Sequence, residues 1–148
     1  MNEIENTVIL IWNKIFHDFK NIFLDCTEIY EINLFHFNTS EILNFYSIFK
    51  GCSSLTSINL TNLNTSKVTC MSYLFSGCSL LTSLNLSSFN TEKVEWMDNM
   101  FYDCFSLLSL NLSNFGTKNV KGINHMFYRC SSLISLDYQV FILLKYIK

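Results

Sequence analysis

Charge of a single sign is scarce in this sequence. Ten basic against twelve acidic residues in 148 leave a formal net charge of −2, and charged residues make up only 15%. With no Lys/Arg patch interleaved with aromatics, the chain offers neither the field nor the stacking surface that nucleic acid needs, so nucleic acid is not expected as a partner. A long hydrophobic run is also missing. The apolar stretch 8–12 follows an acidic start and is too short for a signal-peptide core or a membrane span, and the C-terminal VFILLKYIK is short and interrupted by Lys145. No export signal, anchor or span is therefore legible. Metal ligands are short as well: there is no C-x-x-C pair, and His17, His36 and His125 fall at unrelated positions. Neither a metal, a cofactor nor a catalytic centre is expected, because no nucleophile, base and orienter can be brought together.

What the sequence has in quantity is a repeat. A Phe followed three places on by a Cys recurs every 26 residues, as Phe23/Cys26, Phe49/Cys52, Phe75/Cys78, Phe101/Cys104 and Phe127/Cys130, with no insertion to disturb the register. A fixed period of this length carrying one apolar pattern is the signature of a solenoid, whose units cannot bury their own apolar face and must stack to do so. The whole chain 1–148 then reads as one array. It comprises a partial N-terminal coil 1–22, repeats 23–48, 49–74, 75–100 and 101–126, and a degenerate C-terminal coil 127–148.

Inside each unit the apolar spacing changes from two to three, the switch expected where a short strand passes into a helix. Leu84-Asn85-Leu86 places both leucines on one side of a strand and Asn85 on the other, and Val94, Met97 and Met100/Phe101 fall in a helical stripe. The expected fold is α/β, with parallel strands on one face of the array and short helices on the other. Thr39, Thr65, Thr91 and Thr117 stand just before the stripe. They are placed either to cap a helix or to form a buried ladder whose hydroxyls satisfy backbone groups. Gly51 and Gly77, with Asp25, Asp103 and Arg129 at the same phase, occupy the position where the helix would end and the chain turn back.

Leu81-x-x-Leu84-x-Leu86 resembles the opening of a leucine-rich repeat. The unit then departs from the common pattern, with Phe89 and Thr91 where Asn or Cys and Leu would stand. The complete unit, seen in Met100-Phe101-x-x-Cys104 and Leu107-x-x-Leu110-x-Leu112-Ser113-x-Phe115-x-Thr117-x-x-Val120, resembles the BspA-like leucine-rich repeat surface proteins, many of them adhesins or lipoproteins of host-associated microbes. The resemblance implies a leucine-rich-repeat solenoid at a cell surface or secreted, binding a protein or surface glycan. A cytoplasmic location is the alternative.

Five of the six cysteines share one repeat phase and only Cys70 falls outside it. Parallel Cβ vectors at stacking distance suit buried free thiols that pack as small apolar groups better than disulfides. Asn38, Asn59, Asn64, Asn85 and Asn111 open glycosylation sequons, but Asn59, Asn85 and Asn111 would stack about 4.8 Å apart, too close for a glycan on each. They read instead as an outward polar ladder. With Ser57, Ser83, Ser109 and Ser135, and with Asn33 and Asp137 at the Asn phase, they form a small-residue strip. That strip is either a recognition surface or a solvated face. Among the aromatics outside the apolar phases (Tyr30, Phe35, Tyr46, Tyr73, Trp96, Tyr102, Phe105 and Tyr128), Phe35 beside Asn33 is the candidate contact, while Trp96 is placed to cover a coil junction.

Neither end shows a polar capping unit, which stacked arrays normally carry. This points to a fragment of a longer array, a short member, or end-to-end association through Phe141, Ile142, Leu143, Leu144, Tyr146 and Ile147. The reading that joins these features is a non-enzymatic recognition module. A structural array with no ligand of its own is the alternative.

Overall fold

A computed structural model of the chain describes Thr7–Val8 and residues 19–137. The strands are β1 (Thr7–Val8), β2 (Glu31–Asn33), β3 (Ser57–Asn59), β4 (Ser109–Asn111) and β5 (Ser135–Asp137). All pairing is parallel and keeps the repeat register: Ile32 lies beside Ile58, and Leu110 beside Leu136. The sheet orders are β1-β2-β3 and β4-β5. To the strand column coil 75–100 contributes a single bridge, Ser83 to Ser109. A second column of parallel bridges, Asn44 to Cys70 to Trp96 to Gly122, runs along the far segment of the coils. Successive units therefore stack as the period requires. Most of the partial N-terminal coil, with Ile11, Phe16 and His17, and the C-terminal apolar end from Tyr138 onward lie outside the described residues, as do the side chains of Val8 and Asp137.

The expected helices do not form: the described residues contain no helix. In a helix every N–H points along its own axis to the carbonyl four residues back. Here alternate N–H groups point to the next coil instead. Phe45, Ser47, Phe49 and Gly51 donate to the carbonyls of Cys70, Ser72, Leu74 and Ser76 at 2.9, 3.1, 3.0 and 2.7 Å. Between them the Tyr46 N–H donates to Asn44 Oδ1 and the Lys50 N–H closes a tight turn on Ser47, as Cys52 does just beyond on Phe49. Two left-handed residues per coil make this path possible: Asn21, Ser47, Tyr73, Asn99 and His125 at one phase, and Asp25, Gly51, Gly77, Asp103 and Arg129 four residues on. Asn, Asp and Gly tolerate that region best, and the cross-coil bonds offset its cost in the others. The three-residue apolar spacing thus comes from paired turns, and Gly51 and Gly77 mark a turn rather than a helix end.

Thr39, Thr65 and Thr91 have no helix to cap and take the other role. Thr65 Oγ1 donates to the Asn90 carbonyl (2.9 Å) and accepts from the Asn90 N–H (2.8 Å), and Thr39 clamps Asn64 in the same way. Thr91 does so for Gly116, with one longer bond. Each hydroxyl thereby satisfies both backbone groups of a residue in the next coil.

Identical side chains at identical phases fill the core. Phe23, Phe49, Phe75, Phe101 and Phe127 stack face to face with centroids 5.5, 5.4, 5.8 and 5.6 Å apart. Phe89 and Phe115 begin a second stack. Beside the first run the thiols, each donating one coil back: Cys52 to the Phe23 carbonyl, Cys78 to Phe49, Cys104 to Phe75 and Cys130 to Phe101, at 3.1, 3.2, 3.2 and 3.0 Å. Burial pushes the Cys52 thiol up to about 12 and Cys130 up to about 11, and it raises Cys78 and Cys104 as well; neighbouring thiols add to the effect at Cys52, Cys78 and Cys104.

Two outcomes follow from this core. Thr65→Val should lower unfolding stability by about 1–3 kcal/mol, since it strands two backbone groups, whereas Thr65→Ser should keep most of the stability; denaturant midpoints of the two variants decide this. Because the folded thiols hold their protons more tightly than unfolded ones, their contribution is complete below the ordinary value of 9.0 and is lost as pH rises toward 11 to 12. At pH 8, Cys52, Cys78 and Cys104 should react with an aromatic disulfide reagent only as fast as the coils open. Full labelling of native protein at the rate of the denatured chain would contradict this packing.

Candidate recognition surface

The strand margin is built by alternation. In β2 the inward residue is Ile32, at 2% exposure, and its neighbours Glu31 and Asn33 face out; β4 repeats this with Leu110 between Ser109 and Asn111. Ser57, Ser83, Ser109 and Ser135 are all exposed at one repeat phase, Ser109 being bridged to both Ser83 and Ser135, and Asn33, Asn85 and Asn111 are exposed at another. Asn59 is half-buried, and the Asp137 side chain lies outside the described residues. The structure thus brings the expected strip together on one margin, with Phe35 exposed beside it and packed edge-on against His36.

The asparagines do more than face solvent. Oδ1 of Asn33, Asn59, Asn85 and Asn111 accepts the N–H two residues on, at Phe35, Thr61, Ser87 and Ser113 (3.0, 3.2, 3.1 and 2.9 Å). Each amide therefore turns the chain at the end of its strand. A second set, Asn38, Asn64 and Asn90, does the same for Ser40, Ser66 and Glu92. These turns account for the sequons without modification: the oxygens of Asn59 and Asn64 also accept from the hydroxyls of Thr61 and Ser66. The signal was legible as Asn-x-Ser/Thr at a strand end, where an Asx turn is the local alternative.

Midway along the margin the pairing loosens. A recess of about 170 Å³ opens between Leu84, Asn85 and Leu86 of one coil and Asn111, Ser113 and Asn114 of the next. Asn114 Nδ2 spans part of it, donating to the Leu86 and Phe89 carbonyls at 3.0 and 2.8 Å. A second recess of about 320 Å³ lies between β4 and β5. Both are lined by hydroxyls, amides and leucine rather than by ionisable groups.

Among the described residues no three His, Cys, Asp or Glu side chains come near enough to hold a metal ion, and no helix is long and apolar enough to cross a membrane. His125 packs edge-on against Tyr128. Trp96, read as a junction cover, is seated against Gly122 of the next coil. That pairing escaped the sequence reading, although the two residues share one repeat phase.

No curated protein matches the chain. Among solved structures, the crystal structure of a leucine-rich repeat protein from Bacteroides ovatus ATCC 8483 is similar over 80% of this chain and 40% of its own, at 21% identity and a TM-score of 0.40. This chain therefore spans less than half the length of that protein. A family model described as "Mycoplasma protein of unknown function, DUF285" matches residues 17–138, which take in every complete repeat. The chain belongs to that family, and its repeats are of the BspA-like leucine-rich type that the Met-Phe-x-x-Cys and Leu-x-x-Leu-x-Leu motifs indicate.

Proposed function

We propose that the chain is a non-enzymatic recognition module, a leucine-rich-repeat solenoid that engages an extended protein segment along its strand margin, at a cell surface or in secreted form. The observation that carries this reading is the row of exposed serines at one repeat phase in four successive coils, with Glu31 at that phase in coil 23–48, beside asparagines whose oxygens are already committed to turns. Small side chains leave the margin open to a partner's backbone, and the amide nitrogens supply donors at strand spacing. Tyr30, Leu108 and Ile134 stand immediately before the serine phase, exposed at 48, 47 and 86%, and give a partner apolar anchors along the same line. The near-neutral balance of charge suits an uncharged segment rather than a strongly acidic or basic one.

The cleanest test uses Ser83→Arg with Ser109→Arg. Asn85→Arg is less informative, because it also removes the turn bond to Ser87, worth about 0.5–1.5 kcal/mol. A random peptide display library should yield binders to the parent chain that the double variant loses by ten-fold or more, while its circular dichroism and denaturant midpoint stay within about 0.5 kcal/mol of the parent. Failure to enrich any peptide, or peptides that bind both forms alike, would remove the protein-binding reading and favour a structural array or a margin that takes only a glycan.

A further inference from the structure

Aromatic side chains outside the core are not spread evenly round the coil. Tyr46, Tyr73, Trp96, Tyr102 and Tyr128 stand on the turn-rich segment, exposed or half-buried, against Tyr30 and Phe35 among the Ser and Asn of the strand margin. Trp96 is seated directly on the next coil. It is 44% exposed, and its counterpart in the next coil is the buried Gly122, whose backbone is not left-handed and so does not itself require glycine. The requirement comes from space. A Cβ at position 122 would run into Asp98 Oδ2 and come within 2.6 Å of Trp96 Cε3. The missing side chain is therefore the seat of the indole's benzo ring and of a carboxylate together.

Asp98 is itself fixed. Its Oδ1 accepts both the backbone N–H and Nδ2 of Asn124, at 2.8 and 2.7 Å. The backbone beneath is held from both sides: Met71 N–H donates to the Trp96 carbonyl, Met97 to Gly122 and Asn99 to Asn124, each at 2.8 Å. Ring, carboxylate and amide thus sit in one small area on a hydrogen-bonded ladder. The adjacent Glu95 and Lys121 neutralise one another at 2.8 Å.

We propose that Trp96, Asp98 and Asn124 form a binding site for a neutral saccharide. A sugar ring has an apolar face of C–H groups and a rim of hydroxyls. The first stacks on an aromatic ring, and the second donates to a carboxylate while exchanging hydrogen bonds with an amide. An anionic ligand would meet the Asp98 charge beside the ring. A protein hot spot would want an apolar surround, and the neighbours here are Thr69, Glu95, Lys121 and Asn124. The proposal is independent of the strand margin, which lies on a different segment of each coil.

In a Trp12→Phe background, tryptophan emission excited at the red edge beyond tyrosine absorption reports Trp96 alone. The probes are neutral oligosaccharides ending in glucose, galactose, mannose or N-acetylglucosamine, titrated to about 10 mM. At least one should shift or quench the emission saturably. Binding to the same sugar immobilised on beads should fall ten-fold or more in Trp96→Ala and in the isosteric Asp98→Asn. It should fall likewise in Gly122→Ala, which removes the seat, and stay unchanged in Ser83→Arg with Ser109→Arg. Asp98→Asn keeps the test decisive where Trp96→Ala fails to fold. No response to any sugar in the panel, or equal binding by the parent and Asp98→Asn, overturns the proposal.

Discussion

The structure depends on one constraint: backbone groups of each coil find their partners in the next coil, one repeat away. The cross-coil bonds from residues 45, 47, 49 and 51 show it most plainly. Once alternate N–H groups point sideways, a helix cannot form, and two residues per coil must enter the left-handed region to keep the chain turning. Once coils are held in register at this spacing, identical side chains lie directly above one another. The Phe rings then have no choice but to stack, and the thiols reach the carbonyls one coil back. An insertion of one residue that is not looped out would put the rest of its coil out of line with these columns, because all of them share a single register.

The period, the inward residues and the parallel stacking were legible because they are set by spacing, and spacing survives in sequence. The conformation between the strands was not. Val94, Met97 and Met100 obey the rule for a helical stripe, yet any path that returns inward every three residues gives the same pattern. Left-handed positions could have broken the tie, since Asn, Asp and Gly recur at two phases four apart, but Ser47, Tyr73 and Arg129 blur that signal. Thr65 shows the same limit from another side: a Thr before an apolar run fits a cap, and only the partner one coil away shows that its hydroxyl is fully used within the core.

The surface splits in an analogous way. The Ser and Asn residues of the strand margin were recognisable because they repeat, and the turn bonds of the asparagines explain part of that repetition without any ligand. A position held by every coil for folding cannot by itself specify a partner. Specificity has to come from residues that break the repeat. On the strand margin these are Tyr30, Leu108 and Ile134 against Thr56 and Thr82; on the turn segment they are Trp96 and Gly122 against Asn44 and Cys70.

Rigidity decides which of these breaks can serve as a site. Phe75, Phe101, Cys78 and Leu107 are at 0% exposure, while Phe127 and Cys130 are only half-buried. Burial is deep under coil 75–100, where Trp96 and Asp98 stand, as it is under coil 49–74, where Cys52, Leu55, Met71 and Leu74 are also at 0%. Local opening costs most where buried contacts are densest, so a ring seated there loses little further freedom on meeting a ligand. Ile134 is more exposed than Trp96 but rests on a coil whose own Phe and Cys are partly open. An anchor there has to be ordered as it binds, which weakens each contact it makes.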